Sequence, residues 1–342
     1  MKDGEEMICV IRVDSSSVIG SGHLMRCLTL ADKMKKEKNA DVHFVCRNLK
    51  GNLSQLVVSH GHQLHLLPRV EVDDNLEGYA VWLTVSQERD AAETISILKE
   101  IIPDGKSLSR LVVDSYAIDI EWEQQLRPYT EEIFVIDDLA NRRHDCDILL
   151  DQNSYLDKEY RYDGLVPRNC KLLLGHEHAL LREEFYKAKK KMIPRDKRNG
   201  IKNILVFFGG ADATNETMKA LRALKSIEQQ VKDITINVVV GGSNPHKAEV
   251  KAFCNQNDNM RYLCQVNNMA ELMAEADLAI GAGGTTTWER LFLDLPSIVI
   301  CIADNQKKIC EDCSRQGLIN YLGMYTDVSE VDISKAIVKV KR

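Results

Sequence analysis

Residues 8–34 read ICVIRVDSSSVIGSGHLMRCLTLADKM. Ile8–Val13 is a short apolar run that stops at Asp14 and a serine-rich loop, the pattern of a buried strand. From His23 to Lys38 the residues Leu24, Cys27, Leu28, Ala31 and Met34 recur at i, i+3, i+4 spacing, which predicts an amphipathic helix. Gly20 and Gly22 lie between the two. A strand, a glycine-containing loop and a helix make the opening unit of a doubly wound α/β sheet, whose ligands sit at the strand ends.

The alternation continues outward. Val42–Cys46 and Leu64–Leu67 read as strands, with a helix over Leu53–Val58 between them. A helical stripe through Ile95, Leu98 and Ile102 stops at Pro103. Leu111–Val113, Ile133–Ile136 and Ile148–Leu150 are apolar runs, each ending at an aspartate: Asp114, Asp137 and Asp151. The stretch from Lys187 to Gly200, KAKKKMIPRDKRNG, breaks the pattern and reads as a solvated helix end plus interdomain linker rather than a binding patch. Strands then return at Asn203–Phe208, Ile234–Val240, Leu278–Ile280 and Ser297–Cys301. Helices are expected at Thr217–Leu224, Ala270–Ala276, Thr285–Leu293, Gln306–Gln316 and Val331–Val340. With 342 residues in all, the expected fold class is α/β, two Rossmann-like domains with an interdomain cleft.

Composition narrows the function. Hydrophobic residues at 44% and charged residues at 28% suit a chain that buries a core, which argues against disorder, collagen or a coiled coil. The net charge of -6 lacks the basic excess of a protein that lives on nucleic acid or an anionic membrane, so neither partner is expected. No run of about 18 apolar residues is present, so no membrane span is expected. Met1–Glu6 is polar and acidic, unlike a secretory leader, and the ten cysteines are then expected to be reduced thiols in the cytoplasm. Cys310 and Cys313 form a CxxC without a second pair, and read as helix cysteines rather than zinc ligands. His60, His62 and His65 read as structural.

Three stretches carry chemistry. In the first, Gly20 and Gly22 let a ligand approach the backbone, and His23 opens the helix with Arg26 one turn on. An imidazole there can act as a base toward water or a hydroxyl, or cap the loop structurally. Met25 stands where a dinucleotide fingerprint would have its third glycine. The second stretch, GAGGTTTWER from Gly281 to Arg290, joins a strand to a helix without the Lys-Ser/Thr pair of a Walker loop. Gly283, Gly284, Thr285 and Thr286 offer N–H and hydroxyl donors to a diphosphate, and Glu289 can accept from both ribose hydroxyls or serve as a salt-bridge residue. Asp304, Asn305 and Gln306 are expected on the same rim. Gly209–Gly210 and Gly241–Gly242 end strands, near the nucleotide or as plain turns. The third stretch crowds Asp137, Asp138, His144, Asp147, Asp151, Gln152 and Asn153 at strand ends, where acids and amides can fix sugar hydroxyls and acetamido groups. A metal on Asp137, Asp138, His144 and Asp147 is the competing idea, without any paired-His spacing to support it.

Read in order, RVDSS at Arg12–Ser16, GSGHLMRCLTLA at Gly20–Ala31, VCR at Val45–Arg47, IDDLA at Ile136–Ala140, LLDQN at Leu149–Asn153, ALLREEF at Ala179–Phe185, FGGAD at Phe208–Asp212 and GAGGTTTWE at Gly281–Glu289 make a combination that is specific. Over nearly its whole length the chain resembles the UDP-sugar hydrolases of the pseudaminic acid pathway, which act on UDP-2,4-diacetamido-2,4,6-trideoxy-beta-L-altropyranose. The resemblance implies a GT-B-like fold, C–O cleavage with inversion, release of UDP, no cofactor, no metal requirement, and a place in flagellin glycosylation. It matches His23 to the catalytic base, Glu289 to the nucleotide-ribose carboxylate and Asn305 to a substrate-contacting asparagine, with Asp304 or Gln306 if the short loop shifts the match by one.

The resulting expectation assigns residues 1–190 to a sugar and catalytic domain and 201–327 to a UDP-binding domain. Residues 328–342 form a helix that could pack on the first domain. Asp14, Gly20, Gly22, Asp138, Asn153, Asn305 and Gln306 are expected at the sugar; Gly209, Gly210, Gly283, Gly284, Thr285, Thr286 and Glu289 at the nucleotide. The readings that compete are a GT-B-fold glycosyltransferase using a UDP-sugar donor, a nucleotide-sugar binding module without turnover, and a UDP-GlcNAc 2-epimerase.

Overall fold

The computed structural model describes residues 7–103, 106–231 and 233–341. They fall into two compact units: the residues up to Asn153 with Asp157–Leu180, and Ser154–Leu156 with the residues from Leu181 onward.

The first unit runs β1 (Ile8–Val13), α1 (Gly22–Lys38), β2 (Asp41–Arg47), α2 (Gln55–Ser59), β3 (Gln63–Leu67), α3 (Gln87–Ile101), β4 (Arg110–Asp114), α4 (Ile120–Leu126), β5 (Ile133–Ile136), β6 (Ile148–Asp151) and β7 (Lys171–Leu174). Its seven-stranded sheet is parallel, in the order β3-β2-β1-β4-β5-β6-β7. Alternate residues of β1 enter different cores. Cys9, Ile11 and Val13 pack with Leu24, Cys27 and Leu28 of α1, while Val10 packs with Leu98 of α3 and Trp122 of α4. Strands buried on both faces carry no polar alternation, which is why they read as continuous apolar runs.

Arg12 points to the α3 and α4 side and is fully buried. Its Nε and Nη2 donate to the two oxygens of Asp90 at 3.0 and 2.8 Å. Arg47 Nη2 (2.6 Å) and Trp122 Nε1 (3.0 Å) donate to the same carboxylate. Arg12 and Arg47, which stand in the motifs quoted above, thus join three elements through one buried acid.

The second unit runs α5 (Glu183–Lys191), β8 (Asn203–Phe207), α6 (Glu216–Ser226), α7 (Glu228–Val231), β9 (Thr235–Val240), α8 (Lys247–Asn255), β10 (Met260–Cys264), α9 (Met269–Glu275), β11 (Leu278–Ala282), α10 (Thr286–Phe292), β12 (Ser297–Cys301), α11 (Lys307–Arg315), β13 (Asn320–Met324) and α12 (Glu330–Lys341). Its six-stranded parallel sheet has the order β10-β9-β8-β11-β12-β13. Both sheets reverse their strand order beside the first strand, at β1/β4 and at β8/β11, and such reversals open crevices at the carboxyl ends of the strands.

Two details depart from the sequence reading. The basic stretch after α5 is bound rather than free: Arg195 donates to Leu293 O (2.9 Å) and Met273 O (3.0 Å), and Arg198 to Ala274 O (2.6 Å). The last carbonyls of a helix lack partners within it and attract cations, so these arginines close the ends of α9 and α10. The C-terminal helix α12 packs within the second unit. Ile333 and Ile337 share a core with Leu221 and Leu224 of α6, and Ser334 Oγ donates to Ala223 O at 3.0 Å.

Candidate active site

After β1 the chain turns back on itself. Ser16 Oγ accepts the amides of Val18 (3.1 Å) and Ile19 (3.0 Å), and the Gly20 amide donates to Ser16 O (2.9 Å). Gly20 takes φ +81°, a conformation that favours glycine, and a Cβ at Gly22 would meet open space. His23 follows in the first turn of α1. Asp114 closes β4 beside Val13, its register partner on β1.

The two strands bring His23 and Asp114 together at the strand-order reversal. His23 Nδ1 lies 2.6 Å from Asp114 Oδ1. Arg26, one turn along α1, donates Nε to Asp114 Oδ2 and Nη2 to Oδ1, both at 2.6 Å. Burial works against the charge of Asp114, but the Arg26 guanidinium and the His23 ring outweigh it and hold the carboxyl well below its usual range. Nδ1 also has Arg26 Nη2 at 3.1 Å; with the ring proton on Nδ1, the Asp114 carboxylate accepts from the imidazole. In that neutral tautomer Nε2, which makes no hydrogen bond among the described residues, carries the lone pair.

Arg26 Nη1 also reaches Asp138 Oδ2 at 3.3 Å, and Asp138 Oδ1 accepts from the Tyr116 hydroxyl at 2.5 Å. Burial, reinforced by Asp138, pushes that phenol well up, so it stays a donor. Asp138 therefore lies in the same cluster as His23. Asp14 does not: it is buried, with Oδ1 taken by Arg12 Nη1 (2.7 Å) and the Arg47 amide (2.6 Å). Its other oxygen, Oδ2, is buried without a hydrogen-bond partner among the described residues, so Asp14 keeps one free acceptor. Asn153 is half-buried and donates its amide to Asp151 Oδ1 at 2.9 Å.

The acids of the third stretch have separate partners. Asp137 pairs with Arg142 (2.6 Å), His144 with Glu123 (2.7 Å) and Asp147 with Arg127 (2.5 Å). Sequence reasoning gave no role to Asp114, Tyr116 or Trp82. The apolar run that ends at Asp114 was the available signal, and nothing local says that this strand neighbours the first.

In the second unit the strand-order reversal gathers the glycine loops. Gly209 takes φ +92°, and a Cβ on Gly241 would strike the carbonyl of Gly210, so the loops after β8 and β9 touch through their backbones. After β11, a Cβ on Gly283 would strike Cys310 Sγ of α11. A Cβ on Gly284 would lie 3.6 Å from Gln306 Nε2, which puts Gln306 on the same rim. Asp304 and Asn305 are exposed in the short turn before it, Thr285 is exposed and Thr286 half-buried.

Glu289 is half-buried in α10, and its Oε1 accepts from Arg182 Nη2 at 3.2 Å. Burial raises the Glu289 carboxyl, with Arg182 opposing. Beneath the loop, Arg290 donates to Ala282 O (2.7 Å) and Thr287 Oγ1 (2.9 Å), tying the end of β11 to α10.

Comparison with known proteins agrees with this architecture. Residues 203–311 match the glycosyltransferase family 28 C-terminal domain. The chain is 29% identical over 311 residues to the UDP-2,4-diacetamido-2,4,6-trideoxy-beta-L-altropyranose hydrolase of Campylobacter jejuni, covering 91% of this chain and 97% of that protein. It is 27% identical over 338 residues to an uncharacterized protein of Methanocaldococcus jannaschii, covering 96% of this chain and 63% of that one. The crystal structure of MurG from Acinetobacter baumannii aligns with a TM-score of 0.67 at 12% identity, over 99% of this chain and 91% of MurG. Among the described residues no helix is long and apolar enough to cross a membrane. The chain is a two-unit α/β protein of GT-B-like fold, and over 91% of its length it is similar to a UDP-2,4-diacetamido-2,4,6-trideoxy-beta-L-altropyranose hydrolase.

Proposed function

We propose that the chain hydrolyses UDP-2,4-diacetamido-2,4,6-trideoxy-beta-L-altropyranose to UDP and the free sugar, by attack of water at the anomeric carbon with inversion. The choice of substrate rests on the similarity to the Campylobacter jejuni enzyme. The observation that carries the chemistry is the His23–Asp114 hydrogen bond, which leaves Nε2 as the open base.

As water attacks C1, its proton passes to His23 Nε2, and Asp114 stabilises the imidazolium that forms. Arg26 fixes the Asp114 carboxylate so that the ring keeps its orientation. The C1–O bond breaks with its electron pair going to the diphosphate. A diphosphate is already a good leaving group, so it needs less protonation than the alcohol of an ordinary glycoside. In this reading the donors at Gly283, Gly284 and Thr285 stabilise charge on the diphosphate, Glu289 holds the ribose, and Asn305 and Gln306 meet the sugar. Asp138 and Asn153 contribute to the sugar end, and no metal or cofactor takes part.

The test is a proton NMR time course on the synthetic UDP-sugar without any acceptor. Free sugar of inverted anomeric configuration should appear together with UDP. A product that forms only when an acceptor is supplied would make the chain a transferase. His23→Phe should bind the UDP-sugar and lose about 10²–10⁴-fold in kcat, the usual contribution of a general base. Normal turnover by that variant would remove His23 from the mechanism.

A further inference from the structure

We propose that Tyr79 and Trp82 form an aromatic wall beside His23 that selects sugars carrying methyl groups where ordinary hexoses carry hydroxyls. The proposal rests on the hydrolase reading and adds to it the residues that recognise the apolar side of the sugar.

The connection from β3 to α3 contains a short helical turn, Gly78–Trp82. The buried Leu83 anchors it, with its amide donating to Ala80 O at 3.1 Å. Thr84 follows at φ +64°, a left-handed conformation that a β-branched residue rarely adopts. The amide of Asp73 donates to Thr84 O (3.1 Å), and the amide of Thr84 to Val81 O (3.2 Å). Backbone strain of this kind persists where the surroundings over-determine it, and it clusters at ligand-binding segments.

The turn presents two rings. Tyr79 meets Trp82 edge-on at 4.9 Å and Tyr116 at 5.1 Å, and Trp82 stacks on Tyr116 at 5.4 Å. Trp82 and Tyr116 in turn meet the His23 ring edge-on, at 5.8 and 4.7 Å. Three packed rings would ordinarily belong to a core, yet Tyr79 keeps 42% of its surface exposed. Trp82 also walls a pocket of about 330 Å³ that mixes aliphatic side chains such as Ile19 and Val70 with the charged Lys50, Arg69 and Glu71. The first unit therefore offers exposed aromatic surface on Tyr79, joined through Trp82 and Tyr116 to the His23 imidazole.

Such a wall discriminates in one direction. A methyl group on the sugar gains by leaving water against a ring, roughly fourfold for each group. A hydroxyl in the same place loses water and finds no acceptor on a ring face. A trideoxy sugar with two acetamido groups presents three methyls, and those are the groups this surface fits.

The experiment compares kcat/KM for the UDP-diacetamido-trideoxy sugar with that for its 6-hydroxylated analogue, in the wild type, Tyr79→Phe, Tyr79→Ala and Trp82→Leu. The wild type and Tyr79→Phe should favour the 6-methyl sugar at least tenfold. Tyr79→Ala and Trp82→Leu should bring the ratio within threefold of unity. Equal loss on both sugars would overturn the wall, because the rings would then serve only the fold or the imidazole. Saturation-transfer NMR with the free diacetamido-trideoxy hexose gives a second readout independent of turnover. Irradiated aromatic protons should pass magnetisation to the sugar methyls in the wild type and not in Tyr79→Ala. Transfer without hydrolysis would keep the wall and sink the hydrolase reading; hydrolysis with neither preference nor transfer would sink the wall alone; and absence of both would sink both.

Discussion

His23 and Asp114 stand 91 residues apart in the chain and share a 2.6 Å hydrogen bond across the adjacent ends of β1 and β4. Arg26 grips the same carboxylate with two donors at 2.6 Å. The imidazole is thus held by a partner whose charge is itself held. Asp114→Asn keeps the volume of the side chain but lets the amide face the ring with either its oxygen or its nitrogen. It should lower kcat by about 10²-fold or more with the KM little changed, since the ring loses its fixed tautomer and the support for its positive form. A steady-state profile that shows a raised KM at unchanged kcat would assign Asp114 to binding instead.

Glu289 is the corresponding test of the second unit. Its carboxylate is half-buried and, among the described residues, pairs through Oε1 with Arg182 alone, so an acceptor face remains for a pair of hydroxyls. Glu289→Gln should weaken UDP binding by about 10-fold, the worth of one charge-assisted hydrogen bond. Titration calorimetry with UDP and with 2'-deoxy-UDP measures it. The variant should bind the two nucleotides nearly alike, and an undiminished preference for the ribose form would locate ribose recognition elsewhere.

Arg12 and Arg47 stand in two of the motifs that carry the family resemblance. Both are fully buried and converge on Asp90. Removing one partner of a buried ion cluster leaves an uncompensated charge, which typically costs about 3–5 kcal/mol. Asp90→Asn should lower the unfolding free energy by an amount in that range, seen as a lower urea midpoint at an unchanged m-value. A loss under about 1 kcal/mol would mean that Asp14 and Glu93, the other acids on Arg12 and Arg47, suffice.

The contrast shows what can be read from the chain and what cannot. β1, β5 and β12 are central strands buried on both faces, and their bounds match the apolar runs Ile8–Val13, Ile133–Ile136 and Ser297–Cys301. β10 and β13 lie at sheet edges and carry half-exposed, mixed residues, so neither an apolar run nor an alternation announces them, and edge strand β7 offers only the short run Leu172–Leu174. His23 and Glu289 are legible because each follows a glycine loop that itself marks a strand end. Asp114, Tyr116 and Trp82 are not, because their meeting with His23 depends on which strands become neighbours. The arginines of the basic stretch were misread for the same reason: the helix ends they close lie about 80 residues onward, at Met273 and Ala276.

Asp151 adds a pH dependence that belongs to the fold. It ends β6, is almost wholly buried, and faces the Tyr162 hydroxyl at 3.2 Å, the Asn153 amide at 2.9 Å and the Arg161 guanidinium at 3.5 Å. Burial pushes its carboxyl up to about 7; the Asn153 amide and Arg161 oppose this, while Asp138 and Asp137 add to it. The folded chain therefore binds the proton more tightly than the unfolded one, whose carboxyl titrates near the ordinary value of about 4. The stability this proton supplies is complete below that lower value and is lost as pH rises through about 7. Each unit of separation is worth about 1.4 kcal/mol. Asp151→Asn imitates the protonated acid and carries no titration. Compared with the wild type by urea unfolding, it should gain relative stability steadily between pH 4 and 7 and hold a constant advantage above that. A difference that stays flat across this range would show that Asp151 ionises in the fold as it does in the open chain.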